Sequence, residues 1–490
     1  MTEPLPLGWA RCSLDDVGAW GSGGTPARSN PAFYRDGTIP WLVIGDLNDG
    51  VVSSSESAIT AEGLANSSAK LLEPGTLLIA MYGSIGKLGI TGIECATNQA
   101  IAFCRPKPGI GLRYLFRLLQ EAKPALVLKG KGGTQQNISQ GVLKGHIVRL
   151  APSAEQQRIA DKLDTVLARV DACRDRLARV APLLKRFRQS VLAAATSGRL
   201  TEDWRRDLGC VETGTVLLSA LQGDHARAGG HSRGNASEPT DEAHDLDGSS
   251  LPATWAVATM LDACEPGRPI TYGILKPGPE LDEGIPYVRV ADFPGNRLRL
   301  DSIKKTSSEI DEQFKRARLR LGDLLLSIRG SVGRVVEIPE ELANANITQD
   351  TARLSINARV SRRYVLLALL DEGTQRRMRA AMRGVAVRGI NIGDVRALQF
   401  PLPPTAEQTE IVRRVEAIFA LADRLESRLA LARTAVNRLT PALLAKAFRG
   451  ELVPQDPADE PAAELLKRLA AQRDAAPARP RRQRAIARRG

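Results

Sequence analysis

An apolar repeat that occurs twice limits what this chain can fold into. Ile159, Leu163, Val166, Val170, Cys173, Leu177, Val180, Leu184, Phe187 and Val191 follow one another at alternating spacings of four and three residues, the period of a coiled-coil seam. The pattern returns 252 residues later, in the same phase, as Ile411, Val415, Ile418, Ala422, Leu425, Leu429, Ala432, Val436, Leu439 and Leu443. Both copies open on Ser/Thr-Ala-Glu-Gln, at Ser153 to Gln156 and Thr405 to Gln408, which reads as a capping box. Both close at a glycine, Gly198 and Gly450, where a left-handed C-terminal cap is expected. A helix of about 42 residues spans roughly 60 Å, too long for the core of a compact domain. Two matched seams in one chain most simply bury each other. Pro182 and Pro441 fall inside them, and a missing N–H at each predicts a kink or local opening.

The globular parts repeat as well. Ile39-Pro-Trp-Leu-Val-Ile44 is answered by Ile285-Pro-Tyr-Val-Arg-Val290, each a strand-like run closed by a turn. Gly83-Ser-Ile-Gly-Lys87 is answered by Gly330-Ser-Val-Gly-Arg334, Asn98-Gln99 by Thr348-Gln349, and a short helix from Tyr114 to Gln120 by one from Tyr364 to Leu370. The expected architecture is mixed α/β with a pseudo-two-fold repeat. It comprises a globular domain over 1–152, a helix over 153–200, a flexible linker over 201–250, a second domain over 251–404, a second helix over 405–452 and a basic tail over 453–490.

Composition narrows the function. No run of 18 apolar residues occurs, and the N-terminus lacks the basic and apolar regions of a signal peptide, so a cytoplasmic protein is expected. Six scattered cysteines without a Cys-x-x-Cys pair, and four histidines, support neither a disulfide framework nor a metal site. A formal charge of +13 and a pI near 9.7 favour a polyanionic partner, nucleic acid first.

Enzyme motifs fail on inspection. The Gly83 to Lys87 loop is not a phosphate loop, because Met81 stands where its first glycine should be and Leu88 where Ser or Thr would bind magnesium. Asn30-Pro-Ala-Phe33 has the form of an adenine methyltransferase element, but no strand and glycine-rich cofactor turn precede it. What remains are amide-rich and basic loops, with Gln and Asn suited to adenine, Arg and Lys to guanine, and glycine to close approach. The candidates for DNA contact are Gly83, Ser84, Lys87, Gln99, Lys129, Lys131, Gln135, Gln136 and Asn137 in the first domain. In the second they are Arg329, Ser331, Arg334, Gln349, Arg383 and Arg388.

These features together resemble the specificity subunits of type I restriction–modification systems. The resemblance runs from Leu7-Gly-Trp9 to Asp456-Pro457. It rests on the paired Ala-Glu-Gln helix starts after Pro152 and Pro404, the paired Gly-Ser-x-Gly-Lys/Arg loops, and the helix ends around Ser197-Gly-Arg and Phe448-Arg-Gly. It implies a non-catalytic chain with two target recognition domains, joined by spacer helices that pair as an antiparallel coiled coil and dock two modification subunits. Those partners would use S-adenosylmethionine to methylate adenine, and restriction subunits would use ATP and magnesium to translocate and cut DNA; this chain would bind no cofactor or metal itself. Since 129–137 and 383–391 differ in sequence, the two halves of a split DNA target would differ too. The rivals are a single-chain restriction or methyltransferase enzyme with its own recognition repeats, and a coiled-coil scaffold without sequence preference.

Overall fold

The computed structural model describes residues 4–132, 136–208, 212–229, 246, 248–384 and 388–475. The chain divides into two compact units, one made of Met1–Ala178 with Leu431–Gly490 and the other of Arg179–Ala430. Two helices of 44 residues, Ser153–Thr196 and Thr405–Phe448, each pass from one unit into the other.

The first unit is built on a five-stranded sheet in the order Gly18–Ser22, Ile101–Pro106, Leu77–Ala80, Leu88–Thr91, Gly50–Val52. Its central strand, Leu77-Leu-Ile-Ala80, is buried at every residue, as expected where both faces are covered. A smaller sheet joins Ala58–Ile59, Ile39–Leu42 and Ala96–Thr97, and Ala10–Ser13 pairs antiparallel with Ile147–Leu150. The second unit repeats this plan with Thr271–Tyr272, Thr351–Leu354, Leu324–Ser327 and Val335–Glu337 as its larger sheet. Lys304–Thr306, Ile285–Val288 and Asn346–Ile347 form the smaller one, and Ala256–Thr259 pairs with Gln399–Leu402.

Each core is closed by both long helices. In the first unit Ile159 and Leu163 near the start of one helix share a cluster with Leu444 and Phe448 near the end of the other. In the second unit Ile411 and Val415 share a cluster with Leu192 and Ala195. Arg174 reaches Asn437 and Thr440 in the first unit, while Arg188 reaches Asp423 and Glu426 in the second, so within each unit the segments run antiparallel.

The seam is buried unevenly. Ile159, Leu163, Val170, Leu184, Ile411, Val415 and Leu429 are buried, and Val166, Leu177 and Ile418 partly so. Leu425 and Leu439 are 42% and 44% exposed, with Phe187 at 43%, and Cys173 is exposed too. Sequence periodicity assigns all of these to one stripe. Two helices cover only a narrow strip of each other, and the globular cores that cover the ends of the seam do not reach these positions.

Other expectations need correction. The helices run on as single elements past Pro182 and Pro441. The Ser/Thr-Ala-Glu-Gln starts are not capping boxes. Pro152 and Pro404 already accept the first helical bonds, from Gln156 and Gln408 N–H at 2.9 and 3.0 Å, which places Ser153 and Thr405 inside the helix. The left-handed caps do form, with φ of 78° at both Gly198 and Gly450. A Cβ there would lie 2.4 Å from Pro252 and 2.5 Å from Pro6 respectively, so close approach demands glycine as well.

The segment read as a linker over 201–250 begins with helices Glu202–Leu208 and Gly214–Arg227. Leu217 and Leu221 are buried, and Gly214 N–H donates to Thr254 O at 2.7 Å beside the strand Ala256–Thr259. Its counterpart in the first unit is Ala462–Ala475, inside the segment read as a tail, where Ala462 N–H donates to Gly8 O at 2.8 Å and Leu465 and Leu469 are buried. Each domain is therefore completed by a small helix that follows the other domain's long helix. Most of the glycine- and serine-rich stretch and most of the arginine-rich end lie outside the described residues. Among the described residues no helix is long and apolar enough to cross a membrane.

Candidate nucleic-acid interface

In each unit, backbone hydrogen bonds gather three loops that are far apart in sequence. The first is the turn between Leu77–Ala80 and Leu88–Thr91, folded tightly by Gly83 and Gly86 at φ of 65° and 78°. Gly83 N–H donates to Gln136 O at 3.0 Å and Ile138 N–H to Met81 O at 2.9 Å, which ties in the loop 129–137. Met81 N–H donates to Ala100 O at 2.8 Å, which brings in the turn of Asn98 and Gln99. Lys131 and Asn137 close the second loop through a reciprocal pair of backbone bonds, 3.0 and 2.9 Å long.

The second unit repeats the scheme. Gly330 N–H donates to Arg388 O at 3.3 Å, Ile390 N–H to Ile328 O at 2.9 Å and Ile328 N–H to Asp350 O at 2.8 Å, while Arg383 and Gly389 form the reciprocal pair. The loops enclose an open cavity of about 440 Å³ lined by Arg329, Gln349, Asp350, Arg383, Gly389, Ile390, Asn391 and Asp394. Arg329 Nη1 donates to Gln349 Oε1 at 3.3 Å, and Arg383 lies 3.8 Å from Asp394. Arginine forks held open beside amides and carboxylates can pair with base edges or with phosphate.

Of the sequence candidates, Gly83, Ser84, Gln99, Lys131, Gln136 and Asn137 are brought together and exposed in the first unit, as are Arg329, Ser331, Arg383 and Arg388 in the second. Gln349 is half-buried at the same place. Gln135 lies outside the described residues. Three candidates have other work. Lys87 Nζ donates to the carbonyls of Ile44 and Gly45 at 3.2 and 3.3 Å, and Arg334 to Val290 O at 3.3 Å, so both fasten the glycine turn to the neighbouring sheet. Lys129 Nζ is 2.9 Å from His146 Nδ1. Sequence reasoning missed Asp350, Asn391 and Asp394, although Asn391-x-x-Asp394 is a capping box, made by the helix Ile392–Ala397.

Among the described residues no group of His, Cys, Asp and Glu could hold a metal ion. Asn30, of the methyltransferase-like tetrapeptide, accepts from Ala32 N–H at 3.1 Å and caps a turn whose Phe33 is buried. The thiols of Cys12, Cys104 and Cys264 are buried, and burial pushes each up to about 12, so they are not nucleophiles at neutral pH.

Residues 6–180 and 274–431 match the family described as the type I restriction modification DNA specificity domain. The chain is 31% identical to the EcoBI specificity subunit of Escherichia coli, over 95% of this chain and 93% of that one. It is 28% identical to the StySPI specificity subunit of Salmonella potsdam, over 96% of each. In fold it is similar to a chain solved for assembly and conformational transition of a type I restriction–modification system, with a TM-score of 0.60, 18% identity and coverage of 92% of this chain and 100% of that one. It is also similar to the HsdS subunit of Thermoanaerobacter tengcongensis, with a TM-score of 0.53, 19% identity and coverage of 92% and 98%. The chain belongs to the family of type I restriction–modification specificity subunits. It is a non-catalytic, DNA-specificity chain with two recognition domains.

Proposed function

We propose that the two loop clusters each read one half of a split, asymmetric DNA target, and that the long helices dock the subunits that act on it. The observation that carries this reading is the repeated convergence of three loops, displaying amides and lysine in one unit and arginines with Gln349 in the other. Different side chains in equivalent places imply different bases. Partner docking is supported by large apolar residues left open on the helices, Leu183, Phe187, Leu421 and Leu425 in one unit and Leu431 and Leu439 in the other. The partners are modification subunits using S-adenosylmethionine, and restriction subunits using ATP and magnesium. The complex would work in the cytoplasm, where the DNA is.

The test is to exchange residues 251–404 for the matching segment of a relative and sequence the methylated adenines. One half of the target should change and the other remain. Alteration of both halves would overturn the reading.

A further inference from the structure

We propose that the second unit carries a phosphate-binding site, separate from its base-reading loops, in a basic pocket at the other end of its larger sheet. The pocket is about 560 Å³ and is lined by Arg268, Lys315, Arg316, Arg318, Arg320 and Arg353, with Gly267, Pro269, Leu319 and Asn344. Strand register places it. Ser327 pairs with Thr351 at the end that leads into Arg329 and Gln349, whereas Leu324 pairs with Leu354 at the end that leads to the pocket. Three residues of strand separate the two ends, roughly 10 Å.

The carboxylates around this pocket are already committed. Asp323 pairs with Arg268 at 3.0 Å, Asp311 with Arg318 at 2.5 Å, Glu312 with Lys315 at 2.7 Å, and Glu265 with Arg320 at 3.9 Å. Among the described residues Arg316 and Arg353 have no carboxylate within ion-pair distance. Arg353 is 2% exposed. Its Nη atoms donate to the carbonyls of Arg316, Arg318 and Pro269, and its buried Nε has no hydrogen-bond partner among the described residues. Burial lowers this guanidinium to about 10, yet it stays charged at neutral pH.

The fold does not require that charge. Arg353 stands opposite Leu325, and the equivalent place in the first unit, opposite Leu78, holds Phe103. An apolar ring fills the position there, whereas the second unit buries a cation that forms no ion pair among the described residues, Asp323 attracting it while already paired with Arg268. A buried charge is costly unless an anion or hydrogen bonds offset it. Exposed Arg316 and Arg320 at the rim would meet such an anion, and arginine forks suit the oxygens of a phosphate. A duplex backbone and a free pyrophosphate or nucleotide present the same group.

The experiment uses the full chain, Arg316→Ala, and Arg428→Ala on the second long helix as a charge-matched control. Among the described residues the Arg316 side chain donates no hydrogen bond, and its carbonyl survives the substitution, so folding should be kept. Duplex binding is followed against salt concentration, and pyrophosphate binding by calorimetry. If a backbone phosphate occupies the pocket, Arg316→Ala lowers the slope of log affinity against log salt by about one and weakens target and random duplex alike, roughly fivefold near physiological salt. If a free phosphate does, wild type binds pyrophosphate and Arg316→Ala does not, with duplex binding unchanged. The proposal is overturned if neither measurement separates Arg316→Ala from Arg428→Ala. A chain that bound no duplex would sink the DNA-reading proposal above, while the pyrophosphate titration would still decide this one.

Discussion

Trp9 Nε1 donates to Glu155 Oε2 at 2.9 Å, across 146 residues, and Trp255 repeats the bond to Glu407 at 2.8 Å. The tryptophan that opens each domain is thus pinned to the glutamate that opens its long helix. The neighbouring glutamine adds a second clasp. Gln156 joins Ala151 O to Gly111 N–H, and Gln408 joins Pro403 O to Ser361 N–H, so the helix start is fastened to the N-terminus of each domain's own helix. Ala-Glu-Gln is therefore a joint between domain and spacer.

The two joints differ in charge balance. Glu407 also meets Thr201 and Arg205, whereas Glu155 Oε1 is buried with no hydrogen-bond partner among the described residues. Burial raises the Glu155 carboxyl above the usual range. A raised carboxyl costs stability as pH climbs from the unfolded value of about 4.3 through the folded one, and the cost is complete above it. Glu155→Gln keeps an acceptor for Trp9 and should stabilise the chain by about 1 kcal/mol at pH 8, the gain vanishing below pH ~4. Glu407→Gln should instead destabilise by on the order of 2 kcal/mol, because Arg205 loses its partner. Urea unfolding followed by tryptophan fluorescence measures both, and equal effects at the two sites would contradict the asymmetry.

Reading and scaffolding arginines should separate by phenotype. Arg329→Ala should relax the preference at one base of the target, worth about 1–3 kcal/mol of discrimination. Arg334→Ala and Lys87→Ala release the glycine turns from their carbonyls and should lower stability and affinity without changing the preferred bases. Methylation of a randomised duplex library by the assembled complex reports both properties. A changed base preference in Arg334→Ala would return it to the reading surface.

How far the sequence could be read follows from distance along the chain. The long helices, the glycine caps and the paired turns are local patterns that stand where their spacing put them, but the seam does not keep Cys173, Phe187, Leu425 and Leu439 buried. The Trp9–Glu155 joint is not legible in the sequence because its partners sit in separate segments, and the Ser-x-x-Gln spacing has a local explanation in the capping box. Helix Gly214–Arg227 was hidden by a polar, glycine-containing neighbourhood, although its N-cap Thr213 and its Leu217 and Leu221 follow helical rules. Loop convergence depends on sheet order, which no periodicity encodes. It demoted Lys87 and Arg334 while adding Asp350 and Asp394.

Uneven burial of the seam predicts two kinds of lesion. Val170 is 7% exposed, so Val170→Asp buries an unpaired charge and should cost several kcal/mol, roughly 2–5. Leu425 is 42% exposed, and Leu425→Asp should leave thermal stability within about 0.5 kcal/mol while weakening co-purification with a modification subunit. Unchanged stability in Val170→Asp would show that the seam is not packed there.

The last prediction treats helix length as the ruler of the target. Val180 and Ala432 are equivalent in the repeat and adjoin the points where the helices pass between units. Seven residues inserted after each keep the seam in phase and lengthen both helices by about 10.5 Å. Duplex DNA rises ~3.4 Å per base pair, so this matches about three pairs. Three pairs also turn the duplex by roughly 100°, at a repeat of about 10.5 pairs. A coiled coil winds far less over one heptad, so added length cannot follow the groove unless the DNA twists or the joints swing. The lengthened protein should therefore lose methylation of its original target and, where it acts on a split site at all, favour a gap about three pairs longer. Methylation of a duplex library in which only the gap varies is the measurement. An unchanged preferred gap would mean that the helices do not set the spacing.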